Sequence, residues 1–499
     1  VAIVTATPNP PSSVTDTRGE FEITGVPAGS YSLTASRAGY LTIQYGQRAP
    51  REPGRTIQIK AGDVVEGVNI ALPRGAVLAG TVFDDTGDVY PSVRVEAVEF
   101  RYVRGTRVLV QAAVATTNDI GQYRISGLAP GTYFLRASSA DTWEGDDGQG
   151  AFVYANTYFP GVTGHDQAQL FTIAVGQETQ NLNFAMRPGR PATVTGVMHN
   201  ANGEPIPLQT ISLERINRGV GGALVSSGGP GGATMRAGKD GTFEFRRVPP
   251  GEYTVHTGGS TDRVSETVVV SDGDVKSIVL AARKPSALSG TMVSDDGTPL
   301  PFAVSQVRVQ PVPTDPEALF ATWDAPREIA VGRDATFRFA DISGSYLFRL
   351  VGLPEDWTLT GVALGGRNFV DTPLELQPGV TETKGLQIVV SKTAAKVTGD
   401  VLTRDRAPAP DSTVIIFAQE RGRWTVASRF VRATRPDHTG RFTVAGLPPG
   451  IYRAAAREFV PEGQWEDPDF LQGLLASAIR FELVEGSSET ITLVVEPQQ

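Results

Sequence analysis

The sequence predicts an all-β chain of five tandem Greek-key β-sandwiches, the first lacking its first strand. Three observations carry that prediction. Gly (55) and Pro (35) make up about 18% of the 499 residues, against ~12% in average usage, which demands many turns and short strands. A hairpin motif of fixed internal spacing recurs along the chain. Each copy is followed by a short closing strand, and all but the first are preceded by an apolar strand bearing a Gly.

The hairpin motif runs Gly, x, aromatic, x, apolar, then a Pro-containing turn with Gly, then Tyr. It stands at Gly19, Phe21, Ile23, Gly29 and Tyr31, and again at Gly121, Tyr123, Ile125, Gly131 and Tyr133. Further copies are Gly241, Phe243, Phe245, Gly251 and Tyr253, and Gly440, Phe442, Val444, Gly450 and Tyr452. First Gly to Tyr is 12 residues in all four. A degenerate copy, one residue shorter, has Ala335, Phe337, Phe339 and Tyr346 and no Pro-Gly turn. Alternation places both apolar side chains on one face of a strand. Pro fixes φ and Gly supplies φ > 0 in the turn, and the next strand alternates again, so the motif reads as a β-hairpin.

The preceding strand carries Gly80, Gly196, Gly290 or Gly399, then a polar turn, a Pro-rich bend and a second strand. The closing strands are VVEGVNIALPR, TQNLNFAMRP, VKSIVLAARKP, KGLQIVVSKT and ETITLVVEP. Units are therefore expected over 1–74, 75–189, 190–284, 285–394 and 395–499. Links of one to about six residues between them behave as semi-rigid joints. The first-strand Gly precedes the hairpin Gly position by 41 or 45 residues in four units, so counting back from Gly19 falls before Val1. Unit 1 is accordingly expected to start at its second strand, Val1–Ala6. One helix is expected from Asp467-Pro468, with an Asp cap, Pro at the first position and apolar residues at helical spacing. A shorter one is expected from Asp315-Pro316.

Composition excludes several functions. A formal charge of −9 and a pI near 5.2, without a block of like charge, argue against nucleic acid or an anionic membrane as partner. The absence of Cys removes disulfides, thiolate metal sites and cysteine nucleophiles. No run reaches the 18 or so apolar residues of a membrane span. VAIVTATPNPP has neither the basic nor the apolar region of a signal peptide, so any export signal is expected upstream.

The G-x-V opening strand, the D-x-x-G-x-F hairpin with its P-G-x-Y turn and the closing strand together resemble the carboxypeptidase regulatory-like domain. That family is similar in shape to transthyretin-like (prealbumin-like) and collagen-adhesin B-type, immunoglobulin-like sandwiches. The resemblance implies a non-catalytic, exported module serving as stalk, accessory or adhesive domain, as in tandem copies in large exported bacterial proteins. The expectation is an extracellular structural protein: a rod of five units spanning on the order of 170 Å, or the protomer of a homopolymeric surface filament. The alternative is a carbohydrate-binding accessory protein.

Candidate sites follow from residue type. His165, His199, His256 and His438 stand in separate stretches, with no zinc-protease spacing, and no G-x-S-x-G elbow occurs. The Gly-rich run 219–238 lacks a phosphate-loop pattern and reads as a hairpin arm. No catalytic or cofactor-binding residue is assigned. The loop carboxylates Asp84, Asp85, Asp88, Asp295 and Asp296 are candidates for calcium, an oxygen-seeking ion, although Asp-Gly is also ordinary turn chemistry. Asp141, Glu144, Asp146 and Asp147 form a similar group. Lys60 and Lys396 lie in expected strands, where an adhesin-type isopeptide bond would need a buried Lys. Trp143, Phe152, Tyr154, Tyr158 and Phe159, with Trp465 and Phe470 in unit 5, could stack on sugar faces or pack their own insertions. Without its first strand, unit 1 is expected to accept a strand from a neighbouring subunit beside Val1, Ile3 and Thr5.

Overall fold

The computed structural model describes residues 2–4, 11–47, 54–145, 150–216, 232–257, 264–282, 286–314, 327–377, 380–392 and 395–496, less the single residues 28, 55, 61, 201, 272, 341, 343, 355, 381 and 438. It is all-β. Among the described residues the one α-helix is Pro468–Leu474, capped by the Asp467 carboxylate accepting from the Asp469 amide, with Pro at its start. The helix expected from Asp315 lies outside the described residues.

Unit 3 shows the plan. Its first strand, Ala192–His199, lies between the hairpin strand Thr242–Val248, antiparallel, and the closing strand Val275–Ala281, parallel. The facing sheet runs Ala233–Arg236, Thr210–Arg215, Gly251–Thr257, Ser265–Val270. Units 2, 4 and 5 repeat the antiparallel and parallel pairs around Ala76–Phe83, Ala287–Ser294 and Ala395–Leu402. Unit 4 adds Thr358–Leu364 outside its closing strand, and in unit 5 the closing strand also reaches Ala456 and Arg457, joining both sheets. Each of these four repeats has its own buried apolar core.

Every residue of the hairpin motif has a mechanical job. The polar loop is an Asx turn: Asp16 Oδ1 accepts from the Arg18 and Glu20 amides, Asn118 from Ile120 and Gln122, and Asp437 from Thr439 and Arg441. The aromatic residue enters the core. The Tyr hydroxyl donates back to the carbonyl four residues earlier, from Tyr31 to Pro27, Tyr133 to Ala129, Tyr253 to Pro249 and Tyr452 to Pro448, at 2.7–2.9 Å. That bond closes the Pro-Gly turn on the ring. In the degenerate copy Ala335 takes the left-handed conformation (φ 62°) that Gly supplies elsewhere.

The first-strand Gly is explained by close approach. A Cβ at Gly80 would stand 2.1 Å from the Leu182 carbonyl oxygen, at Gly196 2.4 Å from that of Ile278, and at Gly290 2.3 Å from that of Leu386. At Gly399 it would stand 2.0 Å from the Ile491 oxygen and 2.9 Å from the Phe442 ring. The closing strand and the hairpin aromatic both cross the first strand at this one residue.

Unit 1 departs from the expected hairpin. Ala2–Val4 pairs with Gly29–Ala35, which also pairs with Ile43–Gln44 and Thr56–Ile59. Residues 20–27 and 62–72, the expected hairpin and closing strands, are not strands. In the complete units both of these pair with the first strand. Their apolar alternation survives, with Phe21, Ile23, Val68, Ile70 and Leu72 half-buried. Ile3, in the expected acceptor strand, pairs with Leu33, and Ala2–Val4 stands at the edge of its sheet. Val1 and Thr5 lie outside the described residues.

The units also do not stand in a straight line. Gly105, at the tip of the long hairpin Arg94–Val103/Thr106–Thr116 of unit 2, packs against the Glu466 carbonyl of unit 5, and Gly463 packs against the Tyr102 carbonyl. A hairpin that long reaches past its own sandwich, so the chain returns on itself and the extended five-unit rod is not the form observed.

Candidate interaction sites

The acidic turns are built to organise their own loops. Asp84 Oδ1 accepts from the Thr86 amide, the Thr86 hydroxyl and the Asp88 amide. Burial works against the charged form of Asp84, yet these donors hold its carboxyl below the usual range. Asp296 accepts from the Thr298 hydroxyl and amide and the Ser294 hydroxyl, which bring it down to about 2. Asp85 accepts from the Tyr154 hydroxyl at 2.6 Å, and Asp141 from that of Tyr90. Among the described residues no three His, Cys, Asp or Glu side chains are grouped to hold a metal ion. Asp146 and Asp147 lie outside the described residues. Lys60 and Lys396 are both exposed, so neither is the buried amine an isopeptide bond requires.

The aromatic insertion of unit 2 is folded into its own sandwich. Trp143 stacks on Phe152 at 5.7 Å and 16°, and lies 4.5 Å from the Tyr154 ring. Arg190 covers Phe152 at 4.0 Å. Tyr154 and Tyr158 are buried, and Phe159 packs on Phe171 and Phe184 in the core. Burial, then the hydrogen bond to Asp85, pushes the Tyr154 hydroxyl pKa up. Trp465 and Phe470 in turn pack against the apolar cluster beside the unit 5 helix. These rings do not form an open platform for a sugar.

Tyr158 belongs to a polar constellation the sequence does not announce. Glu96, 1% exposed, accepts from Arg136 at 2.7–2.8 Å and from Arg94 at 3.0 Å, with the Tyr158 hydroxyl against Arg136. The insertion 155–169 lies over this network, with His165 edge-on to Phe100 and Phe134. The only signal available in sequence was an acid and an Arg at alternate positions of one strand. His256 lies 3.4 Å from Glu214, and His438 is outside the described residues. Residues 219–231 of the Gly-rich run are likewise outside them.

Residues 1–73 match the family model of the carboxypeptidase regulatory-like domain. That stretch is unit 1, where the strand plan is least complete. No curated protein matches the chain. Among solved structures, the chain is similar to the TIE protein of Bacillus anthracis at 12% identity, covering 85% of this chain and 74% of that one, with a TM-score of 0.16. It is similar to a streptococcal ancillary pilin at 15% identity, covering 62% and 99%, with a TM-score of 0.20. It is also similar to a full-length pilus protein of Streptococcus pneumoniae at 9% identity, covering 84% and 97%, with a TM-score of 0.15.

Proposed function

We propose that the chain is a non-enzymatic structural or adhesive protein of the cell surface, organised as sandwiches over 1–74, 75–189, 190–284, 285–394 and 395–499, and a protomer of a larger homo-oligomer or polymer. The observation that supports this reading is the use of the repeated residues. Asx carboxylates, core aromatics, strand glycines and closing tyrosines all act within their own sandwich, so what the sequence repeats is architecture. No helix among the described residues is long and apolar enough to cross a membrane. Immunogold labelling of intact source cells tests the proposal. Gold is expected on surface filaments or the outer envelope, and label confined to the cell interior would overturn it.

Unit 1 is the joining element in this reading, since segments 20–26 and 64–72 keep the alternation of ladder partners. A strand with the pattern of Ala76–Phe83 fits between them, with Gly where it crosses the closing segment. Amide hydrogen exchange checks this after that eight-residue strand is added as a free peptide, or fused ahead of Val1. Exchange across 20–26 and 64–72 should slow by at least tenfold. Protection only on fusion assigns the strand to the same chain, protection by free peptide assigns it to a neighbour, and unchanged exchange in both removes the acceptor.

A further inference from the structure

Two loops far apart in sequence meet through a reciprocal pair of glycines. Arg104 and Gly105 are the two central residues of the unit 2 hairpin turn, both at positive φ (49° and 79°), and Val103 pairs with Thr106 behind them. A two-residue turn with both central residues at positive φ matches strand twist and holds the hairpin straight to its tip. In unit 5, Gly463 (φ 81°) begins the short turn Gln464–Glu466. A Cβ on Gly105 would stand 2.3 Å from the Glu466 oxygen, and a Cβ on Gly463 would stand 2.6 Å from the Tyr102 oxygen. Each glycine is thus the only residue type that lets the other loop's backbone come so close. Tyr102–Thr106 are all half-buried, which a hairpin tip held out in water would not be. Farther down the same hairpin, Val108 and Val110 are 8% and 0% exposed. Arg104 and Glu466 oppose each other across the contact, and burial disfavours the charge on both.

The other joints give this contact its meaning. Units 2 and 3 are tied by Arg215 to Asn156 at 2.9 Å and Arg247 to Glu144 at 2.7 Å. Units 4 and 5 are tied more strongly. Arg429 donates twice to Asp371, at 2.9 and 2.7 Å, and to the Leu359 carbonyl at 2.6 Å, while Arg349 donates to the Ala427 carbonyl at 2.7 Å. At the connection between units 3 and 4, the described bonds stay within their own units: the Ala282 amide donates to His199 O, and the Ser286 hydroxyl to Gln377 O.

We propose that loops 102–106 and 463–467 form a clasp that closes two rigid arms, units 2–3 and units 4–5, into one body, and that releasing it opens the arms without unfolding any sandwich. The device is specific to two positions. Among the described residues of unit 3, the equivalent strands, Thr210–Arg215 and Ala233–Arg236, pair over four positions.

The chain has no Cys, so paired labels can be introduced cleanly. Arg107→Cys and Glu462→Cys lie beside the clasp on exposed residues, and spin labels there report its closure by pulsed dipolar spectroscopy. The labelled, otherwise native chain should give one short, narrow distance distribution. Gly105→Val with Gly463→Val should replace it with a long, broad one and raise the radius of gyration in small-angle scattering, while the circular dichroism spectrum keeps its β-sheet form. Arg104→Glu, which keeps both glycines and sets like charges opposite, should give the same shift and guards against local misfolding of the valine variant. A long, broad distribution in the native background, or one unmoved by both variants, would overturn the clasp.

Discussion

Replacing Gly399 by Ala is expected to destabilise unit 5 by about 3 kcal/mol, the upper end of the cost of overpacking. The added methyl meets the Ile491 carbonyl oxygen at 2.0 Å and the Phe442 ring at 2.9 Å. Neither neighbour is a free side-chain end. One is the backbone of the parallel closing strand, and the other is a core aromatic that is 4% exposed. Relief therefore requires the ladder itself to part. For a unit of about 100 residues, that loss lowers the thermal midpoint by more than ~10 °C. Gly473→Ala is the control within the same unit. Gly473 lies in the helix with nothing within 4 Å of its added Cβ, so the same chemical change there should stabilise by roughly 0.5 kcal/mol. Calorimetry of both variants checks the contrast. Equal midpoints would show that the first strand has room at its glycine.

The second large effect is expected at the buried network of unit 2. Arg136→Met leaves the Glu96 carboxylate buried with Arg94 alone, and removing one partner of a buried pair costs about 3–5 kcal/mol. Arg94 is partly exposed and supplies one contact, so the lower end of that range applies. Glu96→Leu combined with Arg136→Met should recover most of the loss, because two apolar side chains replace two charges that had to be desolvated. Chemical denaturation of the two single variants and the double variant measures the coupling. A double variant as unstable as Arg136→Met alone would mean that the Arg stem, not its charge, holds the insertion down.

The fold was legible because its determinants are local. An Asx loop, an alternating pair and a Pro-Gly turn sit within 17 residues, and each forms the element its chemistry dictates wherever its partners exist. Asp467-Pro468 announced the helix for the same reason. What could not be read depends on distant chain. Gly80, Gly196, Gly290 and Gly399 were visible as repeats, but their cause is a carbonyl some 80–100 residues later. Phe21 and Ile23 have the alternation of a strand and do not form one, because alternation selects a face whereas a ladder needs a neighbour. The rings at Trp143, Tyr154 and Tyr158 could serve a ligand or a core equally well by composition. Only the covering insertion and the network at Glu96 decide between the two. The meeting of Gly105 with Glu466 has no sequence signal at all, since each glycine alone is an ordinary turn residue.

The parallel pairing of first and last strands in units 2 to 5 has a mechanical consequence. In unit 5, Lys396–Leu402 runs beside Ser488–Val494 over seven matched positions. Because the two run the same way, the polypeptide comes in at one end of the sandwich and leaves at the other. Tension applied through the two ends pulls these strands past each other along their length. All the bonds between them must then yield together, whereas in an antiparallel terminal pair they would unzip one at a time. The order of strands thus makes sandwiches 2 to 5 strongest against tension applied through their two ends.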